Sequence, residues 1–411
     1  MIKYYNNHLT VEDITIAEIA KDRPTPFYLY SWQQIVKNIE RIKRTFEGLD
    51  YHISFAAKAN NNLYLLEELK NIGIGIDIVS EGEFESAKRV GYDPANVIVN
   101  GNGKTKSFLM DMLYYQPRAL NIDSKEELER LEELAIKENK SIVIALRVNP
   151  DVDPITHPYI STGLKKNKFG MDLDTASSLI NKYYQHPLVQ IQGLHIHIGS
   201  QILNITPYED AYGKIYEFIK SLNNHQLTFI NIGGGWGIDY LKSGKEFPLE
   251  DYRLRVIPII KQMNLPVILE LGRFIIGNAG VLVGRVEYVK KTPYKTFVVT
   301  DASMADLIRP SLYDSYHHIY PQHDTGDEGK IDIVGPLCET GDRFAEERVI
   351  PLPKNDEYIV IGDTGAYGRV MSSNYNFSLR PAEYLIKDGE IEEVRPREDF
   401  KDVTSYYIKS R

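Results

Sequence analysis

The chain has 411 residues, 43% of them apolar, and a formal net charge of -9. That length gives ample core for one large or two medium domains, and the acidic balance opposes non-specific phosphate contacts, so no nucleic-acid partner is expected. No run of eighteen apolar residues occurs, "MIKYYNNHLTVEDI" lacks the apolar stretch of a signal peptide, and Cys338 is the single cysteine; the expectation is a cytoplasmic protein with no disulfide and no membrane contact.

In chain order, "PFYLY" reads as a strand that precedes the first helix. Eight β-rich runs follow: "HISFAA" (52–57), "GIDIVS" (75–80), "VIVNG" (97–101), "ALNIDS" (119–124), "IVIALRVN" (142–149), "QIQGLHIHIG" (190–199), "FINIGGG" (229–235) and "VILELGR" (267–273). Amphipathic helical patterns separate them. In "SKEELERLEELAIKEN" Ser124 and Glu127 have capping-box spacing, and Leu128, Leu131 and Ala135 share a face. Doubly wound sheets alternate in the same way, but eight repeats favour an α/β fold closed as a parallel (β/α)8 TIM-type barrel, here over residues 31–278. Past residue 279 the patterns are β: "KTFVVT", "IDIVGP", "EYIVIGD" and "AEYLIKDGEIEEV", the last with Asp388-Gly389 as a hairpin signal. Residues 279–411, joined by 1–30, are expected to form a second, C-terminal β domain.

Functional side chains of such a barrel gather at the carboxyl ends of its strands. Lys58, Asp77, Arg147, His197 with Ser200, the glycines Gly233 to Gly235, and Glu270 with Arg273 fall there. The long loop "DVDPITHPYISTGLKKNKFG" has the length of a lid or binding loop. Singly, each feature has an ordinary explanation: a solvated lysine, a tight turn, a core histidine at His195, a salt bridge between Glu270 and Arg273. The glycines lack dinucleotide spacing, and the H-x-H pair of His195 and His197 has no companion ligands at other strand ends, so neither a dinucleotide nor a metal is expected. Collectively they specify pyridoxal phosphate. Lys58 offers a Schiff-base amine, the glycines a phosphate nest, His197 a flat ring for stacking, and Glu270 an anion that keeps a ring nitrogen protonated.

These residues lie within ordered motifs that span nearly the whole chain: "TPFYLY", "FAAKAN", "THPYISTGLKKNKFG", "GLHIHIGSQI", "NIGGGWGI", "ELGR", "MADLIRPSLY", "GPLCETGD", "GAYGRVMSSNYN" and "RPAEYL". In these motifs the chain resembles the fold type III pyridoxal-phosphate decarboxylases, and within them the branch that acts on diaminopimelate. The resemblance implies an alanine-racemase-like barrel with a β domain, and the conversion of meso-2,6-diaminopimelate to L-lysine and carbon dioxide, the last step of lysine biosynthesis.

Carried over residue by residue, the resemblance implies that Lys58 bears the cofactor, His197 stacks on its ring and Glu270 pairs with its nitrogen. Ser200, Gly234, Gly235, Gly272, Arg273 and Tyr367 would surround the phosphate, with Asp77 and Arg147 behind them. Arg273, Arg309 and Tyr313 would hold the distal carboxylate of the substrate and Glu339 its distal ammonium, with Tyr367 and Tyr375 lining the same pocket. A substrate with an amino acid centre at each end needs such an arginine fork. Cys338 would protonate the α-carbon and, with Glu339, enter the neighbouring subunit's barrel, making a homodimer with shared active sites the working unit.

The chain departs from the family pattern at Leu271, where proline is usual, at Ser303 and Ala305, where glycine and asparagine are common, and at Thr340, where serine is usual. None removes a charged or covalent participant. The rival readings are a decarboxylase of the same fold acting on another basic or carrier-bound amino acid, a racemase, and a non-catalytic regulator of the same fold. The arginine fork and Glu339 argue against the first, the absence of a recognisable second base against the second, and the presence of Lys58 and Cys338 against the third.

Overall fold

The computed structural model describes residues 1–153, 168–405 and 407, so most of the long loop around "THPYISTGLKKN" lies outside the described residues. Internal packing divides the chain into two units, Glu40–Ile238 with Lys245–Phe274, and Met1–Ile39 with Asp239–Gly244 and Ile275–Arg411.

The first unit is a closed barrel of eight parallel strands in chain order: Tyr51–Ala56, Gly75–Ile78, Val97–Val99, Ala119–Ile122, Ile142–Arg147, Val189–His195, Phe229–Asn231 and Val267–Leu271. The eighth strand returns to the first, with Glu270 opposite Ser54 and Leu271 opposite Phe55. Both faces of such a strand are covered, which is why its residues read as continuous apolar runs; Gly75–Ile78 and Val267–Leu271 are buried throughout.

Side-chain caps start the intervening helices: Asn62 for Leu63–Asn71, Ser80 for Glu81–Val90, Thr105 for Lys106–Tyr115 and Ser124 for Lys125–Glu138. Ser124 accepts from the Glu127 N–H at 3.2 Å, but the reciprocal half of the expected capping box gives way to other bonds. The Glu127 carboxylate instead accepts from buried Lys104 at 2.7 Å and from the Asp123 N–H at 3.4 Å. Leu128, Leu131 and Ala135 form the buried face of this helix.

The strands end earlier than the sequence runs. The first stops at Ala56, the sixth at His195 and the seventh at Asn231. Backbone bonds to the eighth strand continue to the Gly233 carbonyl, which accepts from the Glu270 N–H at 2.7 Å, and the chain takes positive φ at Gly233 (64°) and Gly235 (101°), values that glycine adopts without penalty. Lys58, His197 and Ser200 therefore stand on turns beyond the strands, while Asp77 and Glu270 lie within them.

The second unit holds a mixed sheet in the order Arg343–Pro351, Glu328–Val334, Thr296–Thr300, Gly280–Lys291, Phe27–Ser31, Ala382–Lys387 and Glu390–Arg395. Phe27–Ser31, the "PFYLY" strand, runs antiparallel to Gly280–Lys291 and parallel to Ala382–Lys387. The hairpin at Asp388 and Gly389 has both φ values positive, 54° and 84°, as a two-residue turn matched to strand twist requires. A small antiparallel sheet, Ile2–Tyr5, His8–Val11 and Ile14–Thr15, packs Leu9 and Val11 into a core with Phe27, Leu29, Val281 and Ile386. Among the described residues no helix is long and apolar enough to cross a membrane.

Candidate active site

Glu270 is the electrostatic centre of the barrel unit. It is 6% exposed, and four side-chain donors converge on its carboxylate. Oε1 accepts from Asn231 Nδ2 at 2.6 Å, Asn100 Nδ2 at 2.7 Å and Asn121 Nδ2 at 3.2 Å, and Oε2 lies 3.1 Å from His195 Nε2. Burial alone would raise the carboxyl pKa, but His195 and the amides of Asn100 and Asn231 outweigh it and hold the group below its usual range. Burial also lowers the pKa of His195, so the imidazole is neutral and donates its Nε2 proton to Glu270. Three of the donors are neutral amides, and the charge of Glu270 also acts on the buried Arg147 guanidinium.

Asp77 shares this space. Its Oδ1 accepts the second proton of the Asn100 amide at 2.7 Å. Burial, and then repulsion from Glu270, pushes its pKa well above the usual value, with Lys58 working in the opposite direction. Lys58 itself sits on the 3₁₀ turn Ala57–Ala59 and its side chain is exposed, so its ammonium is not buried within the strand. Its charge also bears on His197, whose pKa falls well below the ordinary value through burial first and then through Lys58 and Arg147. His197 is therefore neutral. Its Nδ1 accepts from the Gly234 N–H at 3.2 Å, which fixes the ring orientation and places the remaining proton on Nε2.

The glycine turn is shaped by close approach. A Cβ on Gly234 would collide with the Glu270 carbonyl oxygen, and one on Gly235 with the Gly199 carbonyl oxygen. The N–H groups of Gly233 and Gly234 are engaged by Asn231 Oδ1 at 3.0 Å and by His197 Nδ1 at 3.2 Å, and Gly235 beyond them is half-buried. Gly272 has the same constraint, since its Cβ would lie 2.8 Å from that of Ala59. Buried Arg273 donates to Ser200 Oγ at 3.2 Å, which brings a cation and a hydroxyl together. Arg147 stacks 4.5 Å from the Phe169 ring centroid and lies 3.4 Å from Asp123.

The remaining candidates belong to the β unit. The loop Gly335–Asp342 is pinned by the Asp342 carboxylate, which accepts from the N–H groups of Met304 at 2.6 Å and Leu337 at 2.7 Å. Cys338 and Glu339 ride on this loop with exposed side chains. The Tyr375 hydroxyl donates to Glu339 Oε2 at 3.3 Å, and the negative charge of Glu339 raises its pKa. Ser311 Oγ donates to the Gly341 carbonyl at 2.6 Å, tying the loop to the helix Arg309–Tyr313. Arg309 is buried with its guanidinium 5.0 Å from the Tyr240 ring centroid, and donates to Ser315 Oγ at 3.2 Å; Tyr313 is half-buried. Tyr367 follows Gly365 and Ala366 with a positive φ of 58°, a strained setting for an aromatic residue.

Residues 32–277 match the family model described as pyridoxal-dependent decarboxylase, pyridoxal binding domain. The diaminopimelate decarboxylase of Aquifex aeolicus is 40% identical over 403 residues, which are 97% of this chain and 95% of that protein. The enzyme of the same name from Campylobacter jejuni is 39% identical, with 94% and 96% covered. The chain belongs to the diaminopimelate decarboxylase family. Among solved structures, the Helicobacter pylori diaminopimelate decarboxylase complexed with L-lysine is similar with a TM-score of 0.91 at 34% identity, covering 95% of this chain and 98% of that one. The M. jannaschii enzyme in co-complex with L-lysine gives 0.93 at 33%, covering 100% and 98%. The cofactor of this family is pyridoxal phosphate, and the barrel fits it: a buried carboxylate held in its charged form suits a protonated ring nitrogen, and Gly235, Ser200 and Arg273 suit a phosphate.

Sequence reasoning did not find Asn100, Asn121 and Asn231, and it left His195 as a core residue. A signal was present in "VIVNG", "ALNID" and "FINIG", each of which carries one amide at the end of an apolar strand run. Only the closure of the barrel shows that all three reach one carboxylate.

Proposed function

We propose that the protein decarboxylates meso-2,6-diaminopimelate to L-lysine and carbon dioxide with pyridoxal phosphate, in the cytoplasm, as a homodimer whose active sites are shared between subunits. In this reading residues 31–278 bind the cofactor, and the rest of the chain supplies the proton donor and substrate-holding groups. The observation that carries the cofactor chemistry is the carboxylate of Glu270, buried and held charged by His195 and three asparagine amides. The identities to enzymes named diaminopimelate decarboxylase support the choice of substrate.

When bound, pyridoxal phosphate supplies an electron sink for the charge left as carbon dioxide departs. Lys58, on its exposed turn, would hold the cofactor through its side-chain amine. Glu270, held in its charged form, would keep the ring nitrogen protonated, because an adjacent anion favours the charged ring. His197 offers a fixed, neutral face for stacking. Gly235, Gly272, Ser200, Arg273 and Tyr367 receive the phosphate, with Gly234 permitting the close turn and Asp77 and Arg147 supporting the site. Arg309, Tyr313 and Arg273 bind the distal carboxylate, and Glu339 with Tyr375 takes the distal ammonium. The Cys338 thiol would supply the proton that the α-carbon needs once carbon dioxide has left.

Mixing inactive Lys58→Ala and Cys338→Ala proteins under exchange conditions tests the shared site. Random pairing of subunits restores roughly a quarter of the native turnover, because one site in each mixed dimer is complete. Absence of recovery, with exchange verified, contradicts sharing.

A further inference from the structure

We propose that Asn231 is a positioning residue that couples the ring-nitrogen carboxylate to the turn on the phosphate side of the cofactor site. The inference rests on the reading of Glu270 as partner of the ring nitrogen. Asn231 is fully buried at the end of the strand Phe229–Asn231. Its Nδ2 donates to Glu270 Oε1 at 2.6 Å, the shortest of the four bonds that Glu270 accepts, and its Oδ1 accepts from the Gly233 N–H at 3.0 Å. Its backbone carbonyl accepts from the Ile196 N–H at 2.8 Å, which fixes the backbone from which the amide projects.

A primary amide carries a donor and an acceptor on one rigid plane, so one side chain serves both contacts in a fixed relation. The turn has little freedom to compensate, because a Cβ on Gly233 would strike the Ile196 carbonyl oxygen and because the next N–H, of Gly234, holds His197 Nδ1. A displacement of this turn is thereby transmitted to Glu270 and to the stacking histidine together. Asn100 and Asn121 also donate to Glu270, but their other side-chain bonds run to Asp77 and to each other. Asn231 is the amide that joins the two ends of the cofactor site.

The test compares native protein, Asn231→Leu, Asn231→Ser and Glu270→Gln, each freed of cofactor and reloaded with pyridoxal phosphate. The readouts are cofactor affinity, the pH at which bound-cofactor absorbance reports loss of the ring-nitrogen proton, and the thermal midpoint of the cofactor-free form. The expected result is affinity weakened on the order of tenfold in Asn231→Leu, as for a lost hydrogen bond to a charged group, with the absorbance transition moved to higher pH because a carboxylate that has lost a donor is the stronger base and holds the ring-nitrogen proton more tightly. Asn231→Ser, which leaves room for water, gives the same shift in smaller measure and carries the test if the leucine variant does not fold. A lower thermal midpoint with affinity and transition both native overturns the inference and leaves Asn231 a structural amide. If Glu270→Gln moves the transition and neither Asn231 variant does, the inference fails alone; if Glu270→Gln also leaves it in place, the reading of Glu270 fails with it.

Discussion

Asp77 and Glu270 share one amide: Asn100 Nδ2 lies 2.7 Å from Oδ1 of the first and 2.7 Å from Oε1 of the second. Two buried carboxyl groups this close do not both ionise readily, and the surroundings divide the roles, with Glu270 held charged and Asp77 pushed toward its protonated form.

An Asp77→Asn substitution mimics that protonated form. A carboxyl whose pKa is raised by folding contributes stability that is complete below its unfolded pKa, about 3.9, and that is lost as pH rises through the folded value. The amide has no such loss. The thermal midpoint of the cofactor-free variant is therefore expected to match or exceed the native value at neutral pH, with the difference moving in the variant's favour from pH 4 to pH 8. A midpoint lower by a constant amount across that range contradicts the assignment.

His52 gives the opposite dependence. Burial first, and then Arg118, lower its pKa to about 4. A histidine depressed by folding contributes stability that is present above its unfolded pKa near 6.5 and is lost as pH falls toward the folded value. The loss is at most about 3 kcal/mol, and neutral His195, His197 and His318 act in the same direction. Denaturant titrations from pH 4 to 7 are expected to show native stability falling with acid and a shallower fall in His52→Leu; equal slopes contradict this origin.

Asp342 is expected to hold the Cys338 loop in place. Asp342→Ala leaves the N–H groups of Met304 and Leu337 without their carboxylate acceptor, at a cost on the order of 2 kcal/mol. Cys338 is the one cysteine in the chain, so its alkylation rate reports the loop directly. That rate is expected to change in Asp342→Ala while the Tyr313 and Arg309 helix remains folded, and turnover number is expected to fall more than substrate affinity. An unchanged alkylation rate contradicts the pinning role.

Gly234→Ala places a methyl group against the Glu270 carbonyl oxygen. Overpacking of this kind costs typically about 1–3 kcal/mol, and here the displaced strand carries Glu270. The expected outcome is a lower thermal midpoint together with loss of retained cofactor on gel filtration. Native retention contradicts the close-approach reading of this glycine.

Much of this arrangement is legible in the sequence, because a parallel barrel imposes long-range order on local patterns. Each strand of the barrel is covered on both faces, so eight apolar runs separated by helical periods mark it. Lys58, His197 and Arg273 stand out as polar residues where those runs end. The amides around Glu270 are less visible, since an asparagine at a strand end ordinarily starts a turn and its partner is 39 to 170 residues away. The segment Asp239–Gly244 belongs to the β unit for a similar reason: Tyr240 packs under Arg309 and Lys242 pairs with Asp363, contacts that no local period announces. The first antiparallel hairpin turns at Asn6 and Asn7, both with positive φ, a two-residue signal within a segment too short to display a strand period.

The most direct test of the central claim is product formation by the protein loaded with pyridoxal phosphate and offered meso-diaminopimelate, ornithine, arginine and lysine separately, with carbon dioxide and amine product measured together. Equal amounts of carbon dioxide and L-lysine are expected from diaminopimelate, and no product from the others. Turnover of ornithine, arginine or lysine in preference to diaminopimelate would contradict the roles given to Arg309 and Glu339, and no turnover of any of the four would contradict the decarboxylase reading.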